Sequence, residues 1–224
     1  MTDAEPKPTL ERPSGFSLAL NFVPLFHVAT GFAIAFAACE TPWGQFGLFS
    51  AWIYLAPPLA ARLVQMAFGR PSGRLTQDMP AYRVWWVLAQ LQVLFNRLPW
   101  IEEILRLVPG LYALWIRLWG GELSPFAYVG PGVAITDRHM VRVERGAVLG
   151  LRGALAGHMA TRDASGRWLV LIGSPLVEAE AVLGGEAGLG PGAILRRGAV
   201  LPPRRHIPAF GEWPRRAGAS EEPS

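Results

Sequence analysis

Every sixth residue from Leu171 is a branched aliphatic: Leu171, Val177, Leu183, Leu189, Leu195, Leu201 and Ile207. Leu, Ile and Val supply 54 of the 224 residues, so an unbroken row of seven at one spacing is not a product of composition. Ala181, Ala187, Ala193 and Ala199 stand four positions after members of that row, and Gly184 and Gly190 directly follow two of them. This pattern predicts a triangular coil of three flat six-residue sides. Each coil pairs with the next at strand spacing, the aliphatic row fills the narrow interior, and the small residue sits where the corner turns. A single coil cannot satisfy its own backbone, so several must stack into a parallel β-helix.

The row begins earlier than Leu171. Val129, Ile135 and Val141 share one frame, and Val143, Leu149 and Leu155 continue two residues out of step. Gly130-Pro131-Gly132 and Gly146-Ala147 supply turn chemistry, and Gly120-Gly121 marks the domain boundary, giving a solenoid over 121–214. Residues 156–170 interrupt the row with a polar excursion carrying His158, Arg162, Asp163 and Arg167. A loop thrown out of a regular scaffold is where function is expected, because the scaffold fixes its position.

Residues 1–15 are polar and proline-containing and are expected to form a flexible tail, as are 215–224. Phe16 to Cys39 carry no charge, enough chain to cross a bilayer core of about 30 Å. A cleaved signal peptide is the competing reading; the run is too long for its core, and Phe36 is bulky where a lipoprotein box wants an aliphatic residue. After Pro42 and Gly44 a second apolar stretch, Phe46 to Phe68, contains Pro57-Pro58, which predicts a transmembrane hairpin with a kinked second arm. Lys7 and Arg12 precede the pair and Arg62, Arg70, Arg74 and Arg83 follow it, which places both ends in the cytoplasm. Val84 to Leu98 reads as a helix on, or dipping into, the cytoplasmic leaflet. Trp100 to Trp119 reads as interfacial amphipathic helices, with soluble helices packed on the solenoid as the alternative. Residues 16–120 are thus expected to be a transmembrane and interfacial helical region.

Hydrophobic residues make up 51% of the chain and mean hydropathy is +0.25, too apolar for an ordinary soluble domain. The net charge of +4 is almost wholly arginine and comes with no basic helix, so membrane headgroups or anionic cofactor phosphates account for it and nucleic acid is not expected. The lone Cys39 excludes an intramolecular disulfide and reads as a buried thiol.

The row of hexads, the His opening an excursion, the resumption at Leu171-Ile172-Gly173 and the closing Ile207-Pro208-Ala209-Phe210-Gly211-Glu212-Trp213-Pro214 resemble the hexapeptide-repeat acyltransferases. The resemblance implies a left-handed parallel β-helix, a homotrimer, an acyl-CoA or acyl carrier protein thioester as donor, and His158 as catalytic base. The close departs from that family's pattern at Glu212 and Trp213. Pro109-Gly110-Leu111-Tyr112, Trp115 to Gly120, Pro131-Gly132, Ile135 and Asp137-Arg138 resemble a subgroup with membrane-associated N-terminal helices, which implies a lipid-like acceptor. A soluble sugar acceptor and a non-catalytic membrane scaffold are the alternatives.

Acyl transfer from a thioester needs a base near neutral pKa, which histidine supplies. A coil of 18 residues plus the two-residue slip puts Asp137-Arg138 beneath Gly157-His158, so Asp137 is expected to orient His158, with an Asp that caps a turn or pairs with Arg138 as the alternative. His139 is expected to be structural or to line the same cleft as a substrate-binding residue, Arg138 and Arg162 to bind substrate, and Arg196 and Arg197 to meet the carrier's phosphates or to be solvated surface charge. His206 is read as a surface or acceptor-side residue, and His27 as a polar group inside the first membrane helix pairing with Asn21 or a neighbouring helix. No metal is expected: a metal enzyme on this scaffold resembling the gamma-type carbonic anhydrases would need three zinc-ligating histidines, two of them five positions apart, whereas His139, His158 and His206 are separated by 19 and 48.

Overall fold

A computed structural model of the chain describes residues 14–214. The expected tails lie outside the described residues except at Ser14 and Gly15, which belong to the first helix: the Ser14 hydroxyl accepts the Ser17 N–H at 3.1 Å. Six helices come first: α1 (Gly15–Leu20), α2 (Val23–Ala38), α3 (Pro42–Phe68), α4 (Pro80–Arg97), α5 (Trp100–Arg106) and α6 (Leu111–Trp119). One short strand, β1 (Gly73–Leu75), lies in the α3–α4 link. The solenoid follows as β2 (Glu122–Leu123), β3 (Tyr128–Val129), β4 (Ala134–Ile135), β5 (Arg142–Val143), β6 (Val148–Leu149) and β7 (Ala154–Leu155). A hairpin of β8 (His158–Arg162) and β9 (Trp168–Ile172) intervenes before β10 (Leu176–Val177), β11 (Val182–Leu183), β12 (Gly188–Leu189), β13 (Ile194–Leu195), β14 (Val200–Leu201), β15 (His206–Ile207) and β16 (Glu212–Trp213).

Three parallel sheets, β2-β5-β10-β13-β16, β3-β6-β11-β14 and β4-β7-β12-β15, form the faces of four complete coils and the opening side of a fifth. The second residue of each strand points inward, and Leu149, Leu155, Val177, Leu183, Leu195 and Leu201 are buried. Ala181, Ala187 and Ala193 are fully buried at the corners, as their spacing predicts. The glycine after a rung has a separate cause: a Cβ on Gly184 would stand 2.6 Å from the Leu201 carbonyl oxygen of the next coil. Three residues ahead of the rungs the corners require positive φ, met by Gly192 and Gly198 but also by Arg152, Glu180, Glu186, Arg204 and Phe210.

Two readings of the row are corrected. Leu171 is not a rung; it lies half-exposed on β9, paired with Arg74 of β1 and Met159 of β8, so the interior row resumes at Val177. Val141 takes the corner position that alanine holds elsewhere, and Val143 is the rung, pairing with Leu123 and Val177. The slip arises because β5 follows β4 by eight residues rather than six, the extra pair lying in the corner at Asp137–Met140. The excursion is not an open loop either. It is an antiparallel hairpin that recruits β1 as a third strand, closed by a turn in which Asp163 Oδ1 accepts the N–H of Ser165 and of Arg167.

α2 and α3 pair as an antiparallel hairpin. Phe32 stacks on Phe49 with ring centroids 4.3 Å apart, and Gly31 leaves room for Trp52, whose indole N–H donates to the His27 carbonyl at 3.0 Å. His27 stacks on Trp52 rather than pairing with Asn21, which instead accepts from Gln90. α3 continues as one helix through Pro57 and Pro58. Gly15–Ala38 and Pro42–Phe68 are each long and apolar enough to cross a membrane, and only 11% and 22% of their apolar windows are buried in the protein. Cys39 ends α2 half-buried.

α4 is the bridge between this hairpin and the solenoid. Trp85, Leu88, Gln92 and Phe95 are buried, and between residues 81 and 95 only Arg83 is exposed, so α4 presents no free apolar face of the kind expected for a helix lying on a leaflet. α5 and α6 are two-sided. Ile101, Leu105, Trp115, Ile116 and Trp119 face the protein, while Trp100, Ile104, Leu107, Val108 and Leu114 are exposed. The last carbonyls of α6 are met from α3 and its flank: Gln65 Nε2 donates to Trp119 O at 2.8 Å and Arg70 to Gly120 O at 2.8 Å, with the guanidinium favoured at a helix C-terminus.

Candidate active site

The corner between β4 and β5 and the exit from β7 lie one coil apart on the same edge of the prism. The Thr136 N–H donates to Leu155 O, which stacks Asp137 directly beneath Gly157. Gly157 is required there, since a Cβ would stand 2.5 Å from that of Asp137. Asp137 Oδ2 then receives three donors: the Gly157 N–H at 3.0 Å, the Thr136 hydroxyl at 2.7 Å and His158 Nδ1 at 2.7 Å. The register argument from the sequence thus gives the pair that the structure holds.

With Nδ1 committed to a buried carboxylate, Nε2 is the nitrogen His158 has free for a substrate. Its side chain is 31% exposed against 1% for Asp137. The Trp85 ring packs edge-on at 5.1 Å and restrains the imidazole's plane. Burial pulls the His158 pKa down, but the hydrogen bond and charge of Asp137 outweigh it and hold it above the ordinary value. Burial pushes the Asp137 carboxyl up, and the hydrogen bond from His158, the charges of both histidines and the Thr136 hydroxyl bring it below the usual range.

His158 stands at a groove of about 260 Å³ whose other walls are Phe95, Asn96 and Pro99, Glu102 and Arg106 of α5, and Val133 to Thr136 of the first coil. Its floor is Arg138. This guanidinium is 2% exposed, ion-paired with buried Glu102 and hydrogen-bonded to Asn96 Oδ1 at 2.9 Å. Arg106 is likewise taken, by Glu103 at 2.6 Å and by Tyr112 and the Val133 carbonyl at 2.9 Å each. Both cations are neutralised, so the groove is built for an uncharged polar group among apolar walls rather than for a phosphate.

The remaining expectations fare unequally. Arg138 lines the groove, but as a paired floor residue. His139 does not reach it: the ring is 0% exposed, with Nδ1 accepting from Gln92 at 3.2 Å. Arg162 lies four residues along β8 from His158 and stacks on Trp168 at 4.6 Å. Arg196 and Arg197 occupy the corner after β13, a different prism edge from His158 in this chain. Arg196 is held between Glu178 and Glu212, and Arg197 stands 3.6 Å from Glu144, so Arg196 in particular is already neutralised and not poised for a phosphate. His206 is exposed and covers Gly188. Among the described residues no cluster suited to a metal occurs.

Sequence reading missed the helical wall of the site, namely Trp85, Gln92, Phe95, Asn96 and Glu102. The available signal was the run of amides, Gln90, Gln92 and Asn96, inside an apolar helix; such groups need partners, and for Gln92 and Asn96 these lie on the solenoid.

No family model matches the chain, and no curated protein matches its sequence. Among solved structures it is similar to the serine acetyltransferase of Neisseria gonorrhoeae, at 13% identity and a TM-score of 0.30 over 87% of this chain and 76% of that one. It is also similar to serine acetyltransferase isoform 3 of Entamoeba histolytica in complex with cysteine, at 10% identity and a TM-score of 0.22 over 96% and 85%. The fold assignment rests on the chain's own parallel ladders.

Proposed function

We propose that the protein is a membrane-anchored acyltransferase that moves an acyl group from a thioester, on coenzyme A or an acyl carrier protein, to a hydroxyl or amine of a lipid-like acceptor. The observation that carries this reading is His158 Nδ1 held 2.7 Å from buried Asp137 at the mouth of a groove without a free charge. Nε2 takes the proton of the acceptor's O–H or N–H as its heteroatom bonds to the thioester carbonyl carbon. The C–S bond then breaks, and the thiolate leaves with the proton returned by the imidazolium. Asp137 stabilises that imidazolium, the role its charge and burial suit.

Two features support an acceptor drawn from a membrane. The hairpin of α2 and α3 leaves most of its apolar surface unburied, which needs a non-aqueous neighbour. α5 supplies Glu102 and Arg106 to the groove while exposing Trp100, Ile104 and Leu107 on its other side, so it separates the site from an apolar belt by one helix width. An amphiphile seated against that belt has only to reach round α5. The arginines after α3 favour, by the positive-inside tendency, a solenoid on the cytoplasmic side of the inner membrane. The outward column Tyr128, Val148, Val182 and Val200 on one solenoid face supports assembly with further copies as a homotrimer.

The test is acyl transfer by the full chain in lipid nanodiscs, followed by thiol release from acyl-CoA and by mass analysis of the lipids. Replacement of His158 by Ala is expected to abolish both signals while the protein still folds and assembles. Acyl transfer at the wild-type rate in that variant would falsify the assignment. A product found only on added soluble sugars would reject the lipid acceptor alone.

A further inference from the structure

The buried corner behind the dyad contains two unmet polar atoms that match each other. Asp137 Oδ1 is buried without a partner, although Oδ2 of the same carboxylate has three. His139 Nε2, two residues on, is also buried without a partner. Which of these is a donor follows from Gln92 of α4. Its Oε1 accepts the Arg138 backbone N–H at 2.7 Å, which fixes the amide's orientation and leaves Nε2 to donate to Leu88 O at 3.0 Å and to His139 Nδ1 at 3.2 Å. His139 Nδ1 is therefore an acceptor, and the neutral ring carries its proton on Nε2. The ring is neutral because burial lowers its pKa to about 4; Asp137 opposes that shift and is the strongest charge acting on it, while Arg70, His158 and Arg138 add to it. A buried donor and a buried acceptor each left unmet carry a desolvation cost that pairing them would remove.

We propose that His139 is a positioning residue for the dyad. Its Nε2–H is shared with Asp137 Oδ1 across one internal water, so the carboxylate is held by both oxygens and presents Oδ2 to His158 in one orientation. Gln92 selects the tautomer that permits this, so α4 sets the geometry of the base as well as joining the two parts of the chain. The kinetic consequence rests on the acyl-transfer reading, whereas the hydrogen-bond chain does not.

The experiment uses the full chain in nanodiscs. In wild-type protein, nitrogen NMR of labelled histidines is expected to show one ring fixed as the Nε2–H tautomer and not titrating near neutral pH. Proton NMR is expected to show a downfield, slowly exchanging Nδ1–H from His158. His139→Phe should remove or broaden that downfield proton and lower kcat on the order of 10-fold with KM unchanged, as loss of an outer partner of a reacting group does. His139→Gln, which restores a donor, should recover the signal. A folded His139→Phe protein with the downfield proton intact overturns the proposal. So does a wild-type His139 carrying its proton on Nδ1, a result that needs no variant to fold. A wild-type protein that gives the expected spectra and transfers no acyl group rejects the reaction and keeps the hydrogen-bond chain.

Discussion

Asp137 decides the pH behaviour of the site, because burial and the carboxylate act on His158 in opposite directions and the carboxylate prevails. Asp137→Asn keeps a similar shape and removes the charge, so burial then dominates and His158 titrates below its ordinary value of 6.5. The acid limb of kcat/KM should move to lower pH, where the base now stays unprotonated, while the plateau falls roughly 100-fold or more. A limb that stays in place would rule out Asp137 as the group that tunes the base. His139 makes a separate prediction about stability. Its folded pKa of about 4 lies below the 6.5 of an exposed histidine, so the unfolded chain takes up a proton that the folded chain refuses. Its contribution is present above pH 6.5 and is lost as pH falls towards 4, amounting to about 3 kcal/mol over that window. His158, with its raised pKa, works in the opposite sense: it favours the fold in acid, and that contribution is lost as pH rises through its folded pKa. Denaturant unfolding at pH 4.5 and 7 should show a steep loss in the wild type and a flatter one in His139→Phe.

Among the elements, the solenoid coils and the β8–β9 hairpin carry different loads. Leu183 fills the interior with no exposed surface, so Leu183→Ala should cost about 2–5 kcal/mol, whereas Leu171→Ala on the half-exposed β9 should cost clearly less. Equal losses in thermal melts would contradict the assignment of Leu171 to the hairpin. Gly184→Ala should destabilise despite adding only a methyl, because the Cβ meets the backbone of Leu201 to Pro203 in the next coil. The sequence row gave the rungs from Val177 onward because the same contact recurs every six residues and each coil repeats the chemistry of the last. It mistook Leu171 for a rung because the hairpin happens to return to the solenoid in step. The same insertion hid a third strand, β1, which comes from almost a hundred residues earlier and has no periodic signature.

At the scale of the whole molecule, the helical region and the solenoid are joined by a buried ion pair and a set of amide bridges. Glu102→Ala would leave the Arg138 guanidinium buried with Asn96 as its nearest remaining side-chain partner, a change expected to cost about 3–5 kcal/mol. The melting temperature should drop, and protease should cleave between the two parts at a concentration the wild type resists. Topology is open to test in a Cys39→Ala background, where new cysteines at Gly44 and at Ser165 should react with impermeant reagents from opposite faces of the membrane. Labelling of both from one face would remove the transmembrane hairpin.

The sequence alone determined the stacked interior, the apolar hairpin and the vertical placement of Asp137 under Gly157. Each depends on periodicity or on unbroken composition, and a repeat carries its contacts at fixed spacing. Tertiary structure decided what encloses His158, which arginines are free and how His139 is used. Those answers depend on pairs such as Glu102 with Arg138 and Gln92 with His139, 36 and 47 residues apart, whose meeting follows from how α4 and α5 dock on one corner of the prism. A buried polar group advertises that it needs a partner, but only the packed chain supplies one.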